Sequence, residues 1–142
     1  MKLIKNKMAK PETIENLKVR VWRWFSRYIR LRDAKNGYCN CISCGRTHHW
    51  KEMQAGHFVP KARGNAIYFN ETNSNAQCAY CNKWKSGNLS EYRVAIDKKY
   101  GKGTADEMER LAAPGKTFTV DELKKMLKYY IKKTHELEKT NQ

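Results

Sequence analysis

An α+β fold is predicted, with a small metal-organised middle held between helical ends. Three observations predict it. Two cysteine pairs of identical spacing, Cys41-Ile-Ser-Cys44 and Cys78-Ala-Tyr-Cys81, bracket the centre of the chain. Apolar residues recur at three- and four-residue steps before and after this centre, the signature of amphipathic helices. Between the pairs the sequence is rich in Cys, Gly, Asn and His and has no long period, as expected of short strands and loops around a metal. At 142 residues the chain suits one domain with a modest core that a metal would reinforce.

Taken in order, residues 1–12 read as a basic disordered tail ending near Pro11, and 13–142 as a single domain. Residues 13–37 form a basic helix: Ile14, Leu17, Val21, Trp24, Phe25, Tyr28 and Leu31 mark one face, Thr13 the start and Asn36-Gly37 the stop. Residues 38–86 are the metal-organised core, with strands expected at Met53–Val59 and Ile67–Phe69 and a turn supplied by Pro60 and Gly64-Asn65. A helix is expected to begin near Cys78. Residues 87–142 read as helical, from about Ser90 to Tyr100 with Gly101 as its end. Thr104-x-x-Glu107 and Thr119-x-x-Glu122, both capping-box patterns, then open a short helix and a long one. Pro114-Gly115 separates those two.

Charge narrows the partner. Lys and Arg number 29 against 14 Asp and Glu, a formal net charge of +15 with a pI near 9.7. Each phosphate such a surface neutralises releases condensed counterions, so a phosphate-rich partner is the first inference. A membrane partner would need a long apolar run or a lipid-facing stripe, and neither is present. The N-terminus lacks the apolar stretch and cleavage site of a secretory signal, which places the chain in the cytosol of a bacterial-type cell. On the first helix Arg20, Arg23, Arg27 and Arg30 recur at steps of three, four and three, a row able to track a phosphate backbone. An ordinary solvated face is the competing reading of such a row.

Thiolates two residues apart in a tight turn can reach one zinc ion, and two such turns complete a tetrahedral four-sulfur site. Cys41, Cys44, Cys78 and Cys81 are therefore the expected ligands of a structural zinc, with Cys39 left over. Simple zinc ribbons separate their pairs by about 15–20 residues; here 33 residues, 45 to 77, intervene and must fold into something of their own. His57 stands out there, because it follows Gly56 at the end of an expected strand. A neutral imidazole at that point can take a proton from water attacking a phosphodiester, although a lone histidine is more often structural. His48, His49 and His135 read as loop or surface residues.

The order of these features, a knuckle, Gly56-His57, Asn73, a second knuckle and Asn82-Lys83-Trp84-Lys85, resembles the HNH branch of the His-Me finger nucleases. That resemblance implies a ββα-metal core in which His57 is the general base, Asn73 holds the base-bearing loop and Asn82 ligates a catalytic Mg²⁺ or Mn²⁺. Cys-Ile-Ser-Cys-Gly-Arg, Ala-Gly-His-Phe, Gln-Cys-x-x-Cys-Asn and Lys85-Ser-Gly-Asn88 followed by Glu91-Tyr-Arg93 narrow it further, to the NinG or Rap family of lambdoid phages. The family implies an endonuclease for branched recombination intermediates such as D-loops and Holliday junctions, of phage or prophage origin. Symmetric resolution of a four-way junction would favour a homodimer.

One departure bears on mechanism. Many HNH sites carry an aspartate or histidine metal ligand just before the base, and Gly56 stands there. Glu91 is the candidate to complete the ligand set, an ordinary exposed carboxylate being its alternative. Lys83, Lys85, Arg63 and Arg93 are candidates to hold neighbouring phosphates. The competing functions are a zinc-organised DNA-binding module without activity and an accessory protein that anneals strands for a recombinase partner.

Overall fold

A computed structural model describes residues 12–141, so the expected tail lies outside the described residues except for Glu12. Two long helices form the base. Helix α1 (Ile14–Arg32) begins where the Thr13 hydroxyl accepts the Asn16 amide, and it buries Leu17, Val21, Phe25, Ile29 and Leu31. Helix α5 (Val120–Thr140) lies along it, contributing Leu123, Leu127 and Tyr130, and Phe25 meets the rings of Tyr130 and Phe69 edge-on. Each such buried side chain contributes about 1.5–3 kcal/mol. Among the described residues no helix is long and apolar enough to cross a membrane.

Two small antiparallel hairpins sit on this pair. Strands β1 (Tyr38–Asn40) and β2 (Thr47–His49) carry the first cysteine pair in their connection. Strands β3 (Gln54–His57) and β4 (Ser74–Gln77) pair with His57 opposite Ser74 and Gly56 opposite Asn75. The loop between them holds the short α2 (Lys61–Gly64), and β4 runs into a wide helical turn, Tyr80–Trp84, then α3 (Leu89–Tyr100) and α4 (Thr104–Leu111). Phe58, Val59 and Ile67 of the loop pack with Tyr92, Ile96, Ala105 and Met108 in a second core.

Several expected details differ, each for a local reason. Asn36-Gly37 does not stop α1, which ends at Arg32. Both residues have positive φ and form a two-residue turn, Lys35 and Tyr38 exchanging backbone hydrogen bonds, so the dipeptide opens the first hairpin instead. Ile67–Phe69 is not a strand. Ile67 ends a 3₁₀ turn and Phe69 enters the helical core, while the polar segment Ser74–Gln77 pairs with β3 because each of its residues is buried against a partner. Thr104 does not cap α4; its hydroxyl turns back to the Gly101 carbonyl, and Gly103 holds the cap position. Thr119 and Glu122 do form the expected reciprocal box.

A buried polar network ties these parts together. The Asp33 carboxylate takes Arg32 at 2.9 Å, Lys99 at 2.8 Å and the Ala76 amide at 2.8 Å. Arg32 continues to the carbonyls of Glu71 and Ser74 and to Asn75 Oδ1, which also accepts from Lys99 and Tyr100. Asn75 Nδ2 donates to the Tyr92 hydroxyl, which donates to the Gly56 carbonyl at 2.6 Å. Burial opposes the charge on Asp33, but Arg32, Lys99 and the Ala76 amide outweigh it and hold its carboxyl below the usual range. Asp33→Ala leaves two half-buried cations unpaired, so we predict a loss of about 3–5 kcal/mol in denaturant unfolding of the zinc-loaded protein, whereas Glu107→Ala, at an exposed ion pair, leaves the unfolding midpoint nearly unchanged.

Candidate metal centre and histidine cleft

Backbone geometry brings the four cysteines together. The β1–β2 turn closes through Gly45 N–H to the Cys41 carbonyl and Cys41 N–H to the Arg46 carbonyl, each 2.8 Å, with Gly45 at φ +76°. Ile42 N–H then bonds the Ala76 carbonyl and docks this turn beside β4, whose end carries Cys78. All four Sγ atoms lie within 4.8 Å of one another, Cys44 and Cys78 3.7 Å apart. Zinc–thiolate bonds of about 2.3 Å require tetrahedral edges near 3.8 Å, so the four sulfurs can hold a zinc ion. The Cys81 amide and Asn88 Nδ2 donate to Cys78 and Cys81 sulfur, as donors around thiolates do. Asn88 thus occupies the start of α3 but gives its side chain to the metal site. A zinc held by these four sulfurs would be closed to substrate and so structural. Cys39 stays apart: its thiol reaches the Arg30 carbonyl, and burial pushes its pKa up to about 11.

His57 lies at the end of β3 in a cleft of about 420 Å³, lined also by Trp22, Pro60, Lys61, Tyr68, Asn82 and Ser86. Its ring stacks on Trp22 and Tyr68, centroids 4.9 and 4.8 Å away. Nε2 is 2.9 Å from the Tyr68 carbonyl. A carbonyl only accepts, so the proton sits on Nε2 and Nδ1 keeps its lone pair. Burial lowers the His57 pKa from the ordinary 6.5, Lys61 adds to that, and the bond to Tyr68 opposes it; the neutral ring prevails at pH 7.

Asn73 is fully buried and clamps the segment after His57. Its Oδ1 accepts the Val59 amide at 2.8 Å, its Nδ2 donates to the Val59 carbonyl at 3.1 Å, and its own carbonyl takes the Phe58 amide. Asn82 lines the same cleft as His57 and donates to Gln54 Oε1 at 2.6 Å. Gly56 is accounted for by its neighbour. A Cβ there would lie 1.9 Å from Gln77 Oε1, on the same face of the hairpin. Gln77 is locked in place by donating to Ser43 Oγ and the Gly87 carbonyl. No aspartate or histidine fits at position 56 while Gln77 stands there.

The expected Mg²⁺ or Mn²⁺ site is therefore not matched by the residues present. Among the described residues no carboxylate lines the cleft, and Glu91 is exposed in the first turn of α3. Hard cations take oxygen donors, of which the side chains here offer the Asn82 amide and the Ser86 hydroxyl.

The cations divide into two groups. Arg20 pairs with Glu12, Arg27 with Glu138 at 2.7 Å, and Arg93 with Asp106 and Glu109, which braces α3 against α4. Arg30 lies over the Trp50 ring and donates to its carbonyl. Arg23, Arg63, Lys83 and Lys85 are exposed and have no acidic partner among the described residues. Arg23, Arg27 and Arg30 share a groove of about 520 Å³ with Trp22 and Trp24, and Trp22 also walls the histidine cleft. Sequence reasoning missed Trp22 and Lys61. The signal for Trp22 was its place between the apolar and arginine faces of α1; for Lys61 it was the position just after Pro60 in the base-bearing loop.

A four-cysteine metal-knuckle protein of α+β fold, with a histidine cleft beside a basic helix, is the class these features define. The family model described as Bacteriophage Lambda NinG protein matches residues 2–141, and the chain belongs to the NinG family. Protein ninG of Escherichia phage lambda is 42% identical over 82 residues, which cover 58% of this chain and 38% of that protein. Its counterparts in Escherichia phage 933W and Salmonella phage P22 are each 40% identical over 82 residues, 58% of this chain and 39% and 38% of theirs. The chain thus spans about two fifths of the length of these relatives. No solved structure matches it.

Two predictions follow from the packing. Cys44→Ser, at the most exposed ligand, lowers zinc stoichiometry below one per chain by mass spectrometry and lowers the melting temperature, whereas Cys39→Ser leaves zinc content intact. Gly56→Ala costs about 1–3 kcal/mol by overpacking against Gln77, and adding Gln77→Ala recovers part of that loss; full additivity in denaturant unfolding would contradict the contact.

Proposed function

We propose that this chain is a DNA endonuclease of the HNH type that acts on branched recombination intermediates. The observation that carries the reading is His57: a neutral imidazole whose Nε2–H is held by the Tyr68 carbonyl, with Nδ1 unbonded among the described residues, in a cleft that Lys61 also lines. In this reading Nδ1 takes a proton from the water that attacks the scissile phosphorus, and the 3′ oxygen leaves. Trp22 and Tyr68 fix the ring plane, and Asn73 fixes the backbone that follows. Lys61 faces the phosphate from the cleft wall, and Arg23, the cation of that α1 groove without an acidic partner or a Trp50 contact among the described residues, meets the strand further out. Magnesium or manganese in such enzymes neutralises charge on the phosphate; in this cleft the side-chain oxygens that could hold such an ion are those of Asn82 and Ser86, and no carboxylate among the described residues joins them.

The β3–β4 hairpin followed by the Tyr80–Trp84 turn and α3 supports a ββα-metal reading of the core, the cysteine site joining hairpin to helix. A NinG protein of phage or prophage would meet branched DNA in the host cytoplasm. The Gly56–Gln77 contact favours one second reading, a DNA-binding module without activity that serves strand annealing or a recombinase partner.

Nicking of a labelled four-way junction with Mn²⁺ separates the two. The endonuclease reading predicts cleavage that His57→Ala reduces at least about 100-fold, the usual share of a general base, with zinc content and junction binding unchanged. Equal cleavage by the variant sinks it. Because burial depresses the His57 pKa, the acid limb of the rate profile falls below pH 6.5, activity being lost as pH drops through the folded value; a limb at or above 6.5 contradicts this.

A further inference from the structure

Three of the four tryptophans are packed: Trp50 is buried, Trp22 lies on His57 and Trp24 meets His135. Trp84 is 81% exposed, and among the described residues no ring or cation covers it. It ends the wide turn Tyr80–Trp84 that carries Cys81, one of the four clustered cysteines, so a zinc held there would tie this turn to the β1–β2 turn. Tyr80, in the same turn, is 48% exposed, with the Arg46 and Lys85 cations 5.6 and 5.8 Å from its ring. Lys83 is exposed between the two aromatics. Asn82 and Ser86, on either side of Trp84 in the chain, both line the His57 cleft.

We propose that Trp84 is a stacking platform for an unpaired nucleotide base, on the face of the turn it shares with Tyr80 and away from Asn82, with Arg46, Lys83 and Lys85 holding the adjoining phosphates. This rests on the reading that the chain acts on DNA. An indole has no use for a duplex whose bases are already stacked, whereas an unpaired base gains a partner for its open face. The surrounding charge matches a polyanion: three cations stand around the two aromatics, and the residues of this turn, Tyr80 to Lys85, include no acid. A rigid support lowers the ordering cost of the contact, which a tryptophan on a free loop would incur in full. The platform thereby confers preference for DNA that carries unpaired bases, independently of His57 chemistry.

Fluorescence anisotropy of the zinc-loaded full chain, without added divalent cation, tests this with two labelled duplexes of one sequence. One carries an unpaired flap and the other is fully paired. Trp84→Ala is expected to weaken flap binding at least about fivefold, the low end for one stacked base, and to change paired-duplex binding less than about twofold. Trp84→Phe is expected to keep most of the flap affinity. Equal weakening on both duplexes, or no change on the flap, overturns the platform, the latter leaving Trp84 to a protein partner. Failure of the unaltered chain to bind either DNA overturns both this inference and the nuclease reading; flap binding that Trp84→Ala leaves intact overturns this inference alone.

Discussion

The Asp33 carboxylate is the point on which the arrangement of the elements depends. It sits just past the end of α1, accepts Arg32 and Lys99, and takes the Ala76 amide of β4. One group thereby fixes α1, β4 and α3 relative to one another. A buried charge of this kind is worth little against an apolar substitute but is costly to break, so its value lies in specifying one arrangement. Through Asn75 and Tyr92 the same network ends on the Gly56 carbonyl, one residue from the cleft histidine. Position of His57 is thus set from two sides, by this network and by the Asn73 clamp on Val59.

The metal centre plays a complementary part. Its four cysteines join the β1–β2 turn to the turn after β4, and three of them, Cys41, Cys78 and Cys81, also pack in a small buried cluster with Leu31, Cys39, Trp50, Met53 and Ala76. A chain of this length can afford two long helices for its main core and leave the small hairpins to metal and polar contacts. Rigid support on both sides of the cleft follows, with His57 on one wall and the Cys81-anchored turn at the other.

Much of this was legible in the chain because the signals were local. Cysteine spacing picked out the four thiols that the fold brings together, and the apolar period with Thr13 and Thr119 located α1 and α5 at their starts. The partner of β3 was not legible, because Ser74–Gln77 is polar and owes its strand to Arg32, Asp33, Tyr92 and Ser43, which are distant in sequence. Asn36-Gly37 fits a helix stop and a hairpin turn equally well by composition, and only the pairing of Lys35 with Tyr38 decides it. At the cleft, His57 and Asn73 could be singled out by motif. The reason for Gly56 could not, since it lies in the side chain of Gln77 across the hairpin. Nor could the pairing of Arg20, Arg27 and Arg93 with acids, which reduces the cations free to meet phosphate.

The central claim is that His57 is held neutral with its proton on Nε2 and its Nδ1 open. Nitrogen-15 NMR of the zinc-loaded chain, labelled at histidine and titrated with pH, reads both properties directly. The account predicts an Nε2–H tautomer at pH 7 and a midpoint below 6.5. An Nδ1–H tautomer, or an imidazolium still present at pH 7, would contradict it.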